Sequence, residues 1–193
     1  MTREEILDAA AQVFRKKGFH AASMADIAQA VQLKKASLYH HVTSKQEILL
    51  ALLDRAIGLL IEHIEPIVMR PDPADEKLRT MIRTYLQLLA ENADLAAVLL
   101  FEHRSLEPNQ HARHIPNRDR FETLWRSVIV EGQAVGLFAP HDPAIATRAL
   151  LGIMNWTITW FRPQGRFTIG EIADHYIALF YNGLLAYNNI RPS

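Results

Sequence analysis

Lys34, Lys35, Ser37, Tyr39, His40 and Lys45 stand close together in a chain of 193 residues. Lysines are point charges for phosphates or guanine edges, and the hydroxyls and a protonated imidazole make short hydrogen bonds to backbone oxygens. Leu38 and Val42 fall between them at helical spacing, so one side of the segment turns inward while the polar groups, with His41, stay on or near the outer side. That chemistry suits a nucleic-acid backbone. Alone, Lys34 and Lys35 would be an ordinary solvated pair and Tyr39 a half-buried anchor with a wet hydroxyl, so the elements around them decide.

Ser23 and Asp26 have capping-box spacing, which starts a helix at Met24; Ile27, Ala28 and Val31 lean on a core while Asp26 and Gln29 stay wet. A tight turn at Gln32 and Leu33 leads to a second helix beginning near Lys35. Two short helices joined this way form a helix-turn-helix, with the second as the reading element. Ser44 and Glu47 offer another capping box, and Lys45 at that helix start can meet a phosphate beside the helix N-terminus.

The run Ile6-Leu7-Ala10-Val13-Phe14 before Gly18-Phe19, then Met24 to Ala28, then Leu38-Tyr39-His40-His41-Val42 with Lys45, resembles the N-terminal domain of TetR-type bacterial repressors over about the first quarter of the chain. The resemblance implies that the helix carrying Lys35 to His41 enters the major groove, and that Tyr39, His40 and Lys45 hold phosphates. Three positions depart from the family pattern. Gln32 replaces a turn glycine, Lys34 a capping serine, and the small residue after Lys35 is Ala36. A glutamine at positive φ carries strain of about 1 kcal/mol.

Formal net charge is zero and there is no cysteine, which removes disulfides and thiolate chemistry. Met1 to Glu47 hold seven Lys and Arg against five Asp and Glu, +2, leaving −2 for the remainder. Binding to DNA must therefore come from local placement and paired copies, not from a global field. No leader layout and no bilayer-length apolar run is present, which points to a cytoplasmic protein without a membrane partner.

From Ser44 onward the pattern is helical. One helix runs from Lys45 to Ile64 with Pro66 marking its end, long enough to link two domains. Asp72-Pro73 opens a helix that Asn92 closes. Asn92 or Asp94 starts the run Leu95 to His103, Glu107-Pro108-Asn109 is a break, and a polar stretch settles into Phe121, Leu124, Trp125, Val128 and Ile129. Asp142-Pro143 starts the next helix, and Thr168 with Glu171 the last, to about Tyr187. The expected fold is all-α, about nine helices, with a helix-turn-helix DNA-binding domain over 1–46 and a ligand-binding and dimerisation domain over 47–193.

Ile145 to Phe161 is apolar almost all round, and Ile172, Ala173, Tyr176, Ile177, Phe180 and Gly183-Leu184 form a second such surface. Two apolar faces per helix suggest one face inside the subunit and one against a twin. In the family these last two helices make a four-helix dimer bundle, so a homodimer on a palindromic double-stranded operator is expected.

Phe101, Phe121, Trp125, Trp156 and Trp160, with Arg104, Asn155, Glu102 and His103 interspersed, suit either an apolar effector pocket with a few directed polar groups or plain core and dimer interface. Met154 to Gly165, followed by Ile169 to Ile172, is similar to C-terminal domains of TetR-type regulators of fatty-acid and sterol-derived acid catabolism. That similarity implies an acyl-CoA effector, with Arg162 or Arg166 facing the CoA phosphates. A drug-sensing repressor of an efflux gene, or a helical adaptor that does not read DNA, are the alternatives. His111 and His114 lack a third ligand and read as solvated, so no metal site is expected. Glu62, His63, Glu65, Asp174 and His175 bring no nucleophile and no phosphate loop, so neither an enzyme nor a resident cofactor is expected.

Overall fold

The computed structural model describes residues 2–184. Among them lie nine α-helices and no strand: α1 (Arg3–Lys17), α2 (Met24–Ala30), α3 (Lys35–Leu38), α4 (Lys45–Val68), α5 (Ala74–Glu91), α6 (Ala93–Ala97), α7 (Pro108–Ala134), α8 (Pro143–Trp160) and α9 (Ile169–Leu184). The all-α, nine-helix expectation holds. The side chains at 183–184 and the residues to Tyr187 expected in the last helix lie outside the described residues.

The chain divides into two compact units. The first joins residues up to Leu59 with Asn92–Asp119, and the second joins Leu60–Glu91 with Arg120 onward. In the first, Ile6, Leu7, Ala10 and Phe14 of α1 meet Ile27 and Ala28 of α2, Leu38 of α3, and Ile48, Leu49, Leu52 and Leu53 of α4 in one buried cluster completed by Leu95, Val98 and Leu106. Local signals fix where these helices begin. Thr2 and Glu5 cap α1 reciprocally, as Ser23 and Asp26 cap α2. Gly18 ends α1 at φ 78, a conformation that favours glycine, with its N–H on Phe14 O at 2.8 Å.

In the second unit Leu78, Met81, Ile82, Tyr85 and Leu86 of α5 are buried with Phe121, Trp125, Val128 and Ile129 of α7 and with Ile172, Ala173 and Ile177 of α9. Asp142 caps α8, accepting from Ala144 and Ile145 N–H at 2.9 Å. Thr168 and Glu171 cap α9. Gly132 is needed for close approach here: a Cβ would stand 2.2 Å from the ring of buried Phe138. Gly132→Ala should therefore cost about 1–3 kcal/mol of urea-measured stability, as overpacking does. A variant as stable as the wild type would show that the ring yields without cost.

Four boundaries differ from the sequence reading. The segment from Lys35 to His41 is not one helix. α3 ends at Leu38, and Tyr39 to His41 form turns closed by His40 N to Ser37 O (3.2 Å) and His41 N to Leu38 O (3.0 Å), in a stretch whose aromatic and β-branched residues are weak helix formers. Pro66 does not end α4, because so near the terminus it removes a single ladder bond while buried Ile67 anchors the last turn. α7 begins at Pro108, where the missing N–H is no loss and φ is preset, and it runs on through Pro116. The run Leu95 to His103 is broken into α6, a π turn at Val98–Glu102 and a 3₁₀ turn at His103–Ser105.

Candidate nucleic-acid interface and effector region

The turn between α2 and α3 takes the shape its sequence strains against. Gln32 has φ 54, the only positive φ at a non-glycine among the described residues, and Leu33 N–H bonds Ala28 O at 2.8 Å to close the turn. Lys34 occupies the cap of α3 in an extended conformation but gives no side-chain cap bond. On α2, Asp26 is anchored firmly. Lys17 Nζ at 2.6 Å, then Ser23 hydroxyl and N–H at 2.8 Å, hold its carboxyl down at about 2.

Lys34, Lys35, Tyr39, His40 and His41 are all exposed, Tyr39 to 46%, and Ser37 is half-buried. Leu38 and Val42 between them are buried as their spacing requires. No side-chain hydrogen bond or ion pair holds Lys34 or Lys35 among the described residues, whereas four other cations of the same unit are committed. Arg3 pairs with Glu47, Arg15 with Asp94, Lys17 with Asp26, and Arg55 with Asp8 and Glu4. The free positive charge of the reading segment thus lies where α3 begins.

Lys45 is placed otherwise. Its ammonium donates to the carbonyls of Phe19 and Ala22 at 2.7 Å, with His20 O at 3.4 Å, and sits 4.4 Å above the Phe19 ring. Ser44 Oγ accepts Glu47 N–H at 3.0 Å, but the Glu47 carboxylate reaches Thr43 N–H and hydroxyl instead of completing the box. Burial pulls that carboxyl upward, yet Thr43 and Arg3 together hold it below its usual range.

His114 is not solvated. It is 3% exposed on α7, with Nδ1 3.0 Å from Asp54 Oδ1 on α4 and Nε2 buried without a partner. The early start of α7 places it on an inward face, which a loop reading conceals. Among the described residues no three His, Asp or Glu side chains gather as a metal site.

His103 is held below its ordinary range chiefly by burial, with Arg104, Arg118 and His114 adding repulsion against the Leu99 carbonyl bond. The native state then binds fewer protons than the unfolded chain below pH about 6.5, so stability falls as pH drops through that window. His103→Gln should make the urea midpoint fall less between pH 7.5 and 5.5 than in the wild type. Equal falls would remove His103 from the pH dependence.

The aromatic candidates fall into three places. Phe101, 52% exposed, and Arg104, also exposed, belong to the first unit. In the second unit Phe121 and Trp125 are buried and join Tyr85, a residue missing from the sequence-derived candidates, with ring centroids 5.8 Å and 5.6 Å from Tyr85. Tyr85 donates its hydroxyl to Asn155 Oδ1, and burial pushes its phenol pKa up. Trp125 Nε1 is buried with no acceptor, a donor aimed at no protein group.

Trp156 and Trp160 lie on the other side of α8. There Thr147, Leu150, Met154 and Thr157 are buried, while Ile145, Ile153, Trp156 and Trp160 form an exposed apolar stripe, Trp156 to 65%. On α9 Leu179 is likewise exposed, opposite buried Ile177 and Tyr181. Arg162 bonds Phe161 O at 2.8 Å and Arg166 lies over Phe167. No helix among the described residues is long and apolar enough to cross a membrane.

A capped helix-turn-helix with exposed cations, carried in an all-helical chain, defines a DNA-binding regulator. The model of bacterial regulatory proteins of the tetR family matches residues 6–52, and that of the tetracyclin repressor-like C-terminal domain matches residues 71–184. The chain belongs to the TetR family of transcriptional regulators. It is 37% identical to the TetR family transcriptional regulator PfmR from Thermus thermophilus, with TM-score 0.84 over 92% of this chain and 97% of that one. It is 27% identical to AibR, solved in complex with isovaleryl coenzyme A and operator DNA, with TM-score 0.87 over 93% of this chain and 97% of that one. The HTH-type transcriptional repressor KstR2 of Rhodococcus jostii (strain RHA1) is 29% identical over 189 residues, 97% of this chain and 93% of its own. These families and relatives are regulators of transcription, not enzymes, and the adaptor alternative falls away.

Proposed function

We propose that the protein is a cytoplasmic repressor that binds a palindromic operator as a homodimer and is released by a small, mostly apolar effector of the acyl-CoA class. Residues 1–46 are the DNA-binding domain and 47–193 bind the effector and dimerise. The observation that carries the DNA reading is the exposed, uncommitted set Lys34, Lys35, Tyr39 and His40, with Ser37 beside it, in a segment whose neighbouring cations are paired. Lys34 and Lys35 meet phosphates or guanine edges at the N-terminus of the reading helix, and Tyr39 and His40 hold backbone oxygens.

The dimer reading rests on the apolar stripe of α8 and on Leu179. Two copies linked through it present two recognition segments to adjacent major grooves. For the effector, the orphaned Trp125 N–H among apolar rings, with Asn155 tied to Tyr85, offers one directed donor in an apolar setting, which suits the carbonyl of an acyl group. The relative AibR, solved with isovaleryl coenzyme A, favours that class over an efflux-inducing drug. Release follows if the effector prefers a conformation with mis-spaced recognition segments, with a coupling of about 1–3 kcal/mol.

The test is a footprint upstream of the protein's own gene, against random duplex at fixed salt, with and without long-chain and ring-bearing acyl-CoA. A protected palindrome that disappears with one acyl-CoA is expected. Equal affinity for random duplex would end the operator reading, and protection indifferent to every acyl-CoA would end the effector class.

A further inference from the structure

The resemblance implies a phosphate role for Lys45, but the geometry points to a different one: Lys45 is a positioning residue that locks the α1–α2 loop to the start of α4, so that the reading helices keep one orientation. The inference rests on the operator-binding reading above. An ammonium has three donors and no acceptor. Those donors converge on the carbonyls of Phe19, His20 and Ala22, two of them at 2.7 Å, and its charge lies over the Phe19 ring. Phe19 is itself buried against Phe14 of α1, ring centroids 5.3 Å apart. The three carbonyls lie within the four residues before Ser23, the cap of α2. One side chain at the first residue of α4 therefore joins the end of α1, the entry of α2 and α4 itself.

A phosphate would have to compete with three backbone oxygens for this ammonium. Lys34 and Lys35 face no such competitor. Charge-assisted bonds to carbonyls are also geometrically particular: a compact ammonium satisfies three converging oxygens, whereas a planar guanidinium does not. Arginine is, conversely, an excellent phosphate ligand.

Lys45→Met and Lys45→Arg separate the two roles in the full-length protein. For a brace, both variants should bind the operator about tenfold more weakly at every salt concentration, because a smaller fraction of heads is correctly set. The slope of log affinity against log salt should stay as in the wild type. In the free protein, amide exchange across residues 19–31 should speed up in both variants. For a phosphate ligand, Lys45→Met should lower the slope by about 1.8, two phosphates per dimer, while Lys45→Arg binds like the wild type and exchange stays slow. That second pattern overturns the inference. If the wild type shows no operator preference, the operator reading fails, yet the exchange measurement still decides the brace. If Lys45→Met does not fold, Lys45→Arg carries both arms.

Discussion

Trp156→Glu is expected to turn the protein into monomers and to lower operator affinity by about 10²–10⁴-fold, the range lost when two linked half-site contacts become independent. Trp156 is 65% exposed on the apolar stripe of α8, so the substitution removes no intramolecular packing of consequence. In a twofold interface every residue appears twice, and a carboxylate there would be desolvated in duplicate with no cation to meet it. Sedimentation velocity should show the monomer, with helical content unchanged by circular dichroism. A Trp156→Glu protein that stays dimeric and binds normally would place the interface elsewhere.

Lys34→Ala with Lys35→Ala should weaken operator binding by about a hundredfold or more near 0.1 M salt and reduce the log–log salt slope by up to about 3.6, four contacts per dimer at 0.9 each. Both side chains are exposed and uncommitted, so the apo protein should melt as before. Tyr39→Phe should give a smaller loss with an unchanged slope, since it removes a hydroxyl and no charge. Unchanged slope in the double lysine variant would move the phosphate contacts off this segment.

The head was legible because its decisive signals are short-range. Ser23 with Asp26 sets the start of α2 through bonds spanning three residues, and outside the DNA-binding part Asp142 before Pro143 and Thr168 with Glu171 do the same for α8 and α9. The positive φ at Gln32 was legible only through the resemblance, which puts a glycine at that turn. What escaped depended on neighbours far along the chain. Lys45 and Lys35 are the same residue type in the same basic stretch, but carbonyls more than twenty residues earlier engage only the first. His114 looked solvated beside a proline break, until α7 began at Pro108 and brought it to Asp54, sixty residues away.

The aromatic candidates show the same limit. Trp125 and Trp156 are both tryptophans in the middle or later part of long helices, yet one is fully buried without an acceptor and the other faces solvent. By itself the sequence determined the all-helical class, several helix starts and the family, because periodicity and capping act within one or two turns. Only the tertiary structure decided which cations are already paired, which rings are core and which are surface, and which lysine is engaged by backbone carbonyls. Those outcomes depend on groups brought together from distant parts of the chain, and no local pattern encodes that proximity.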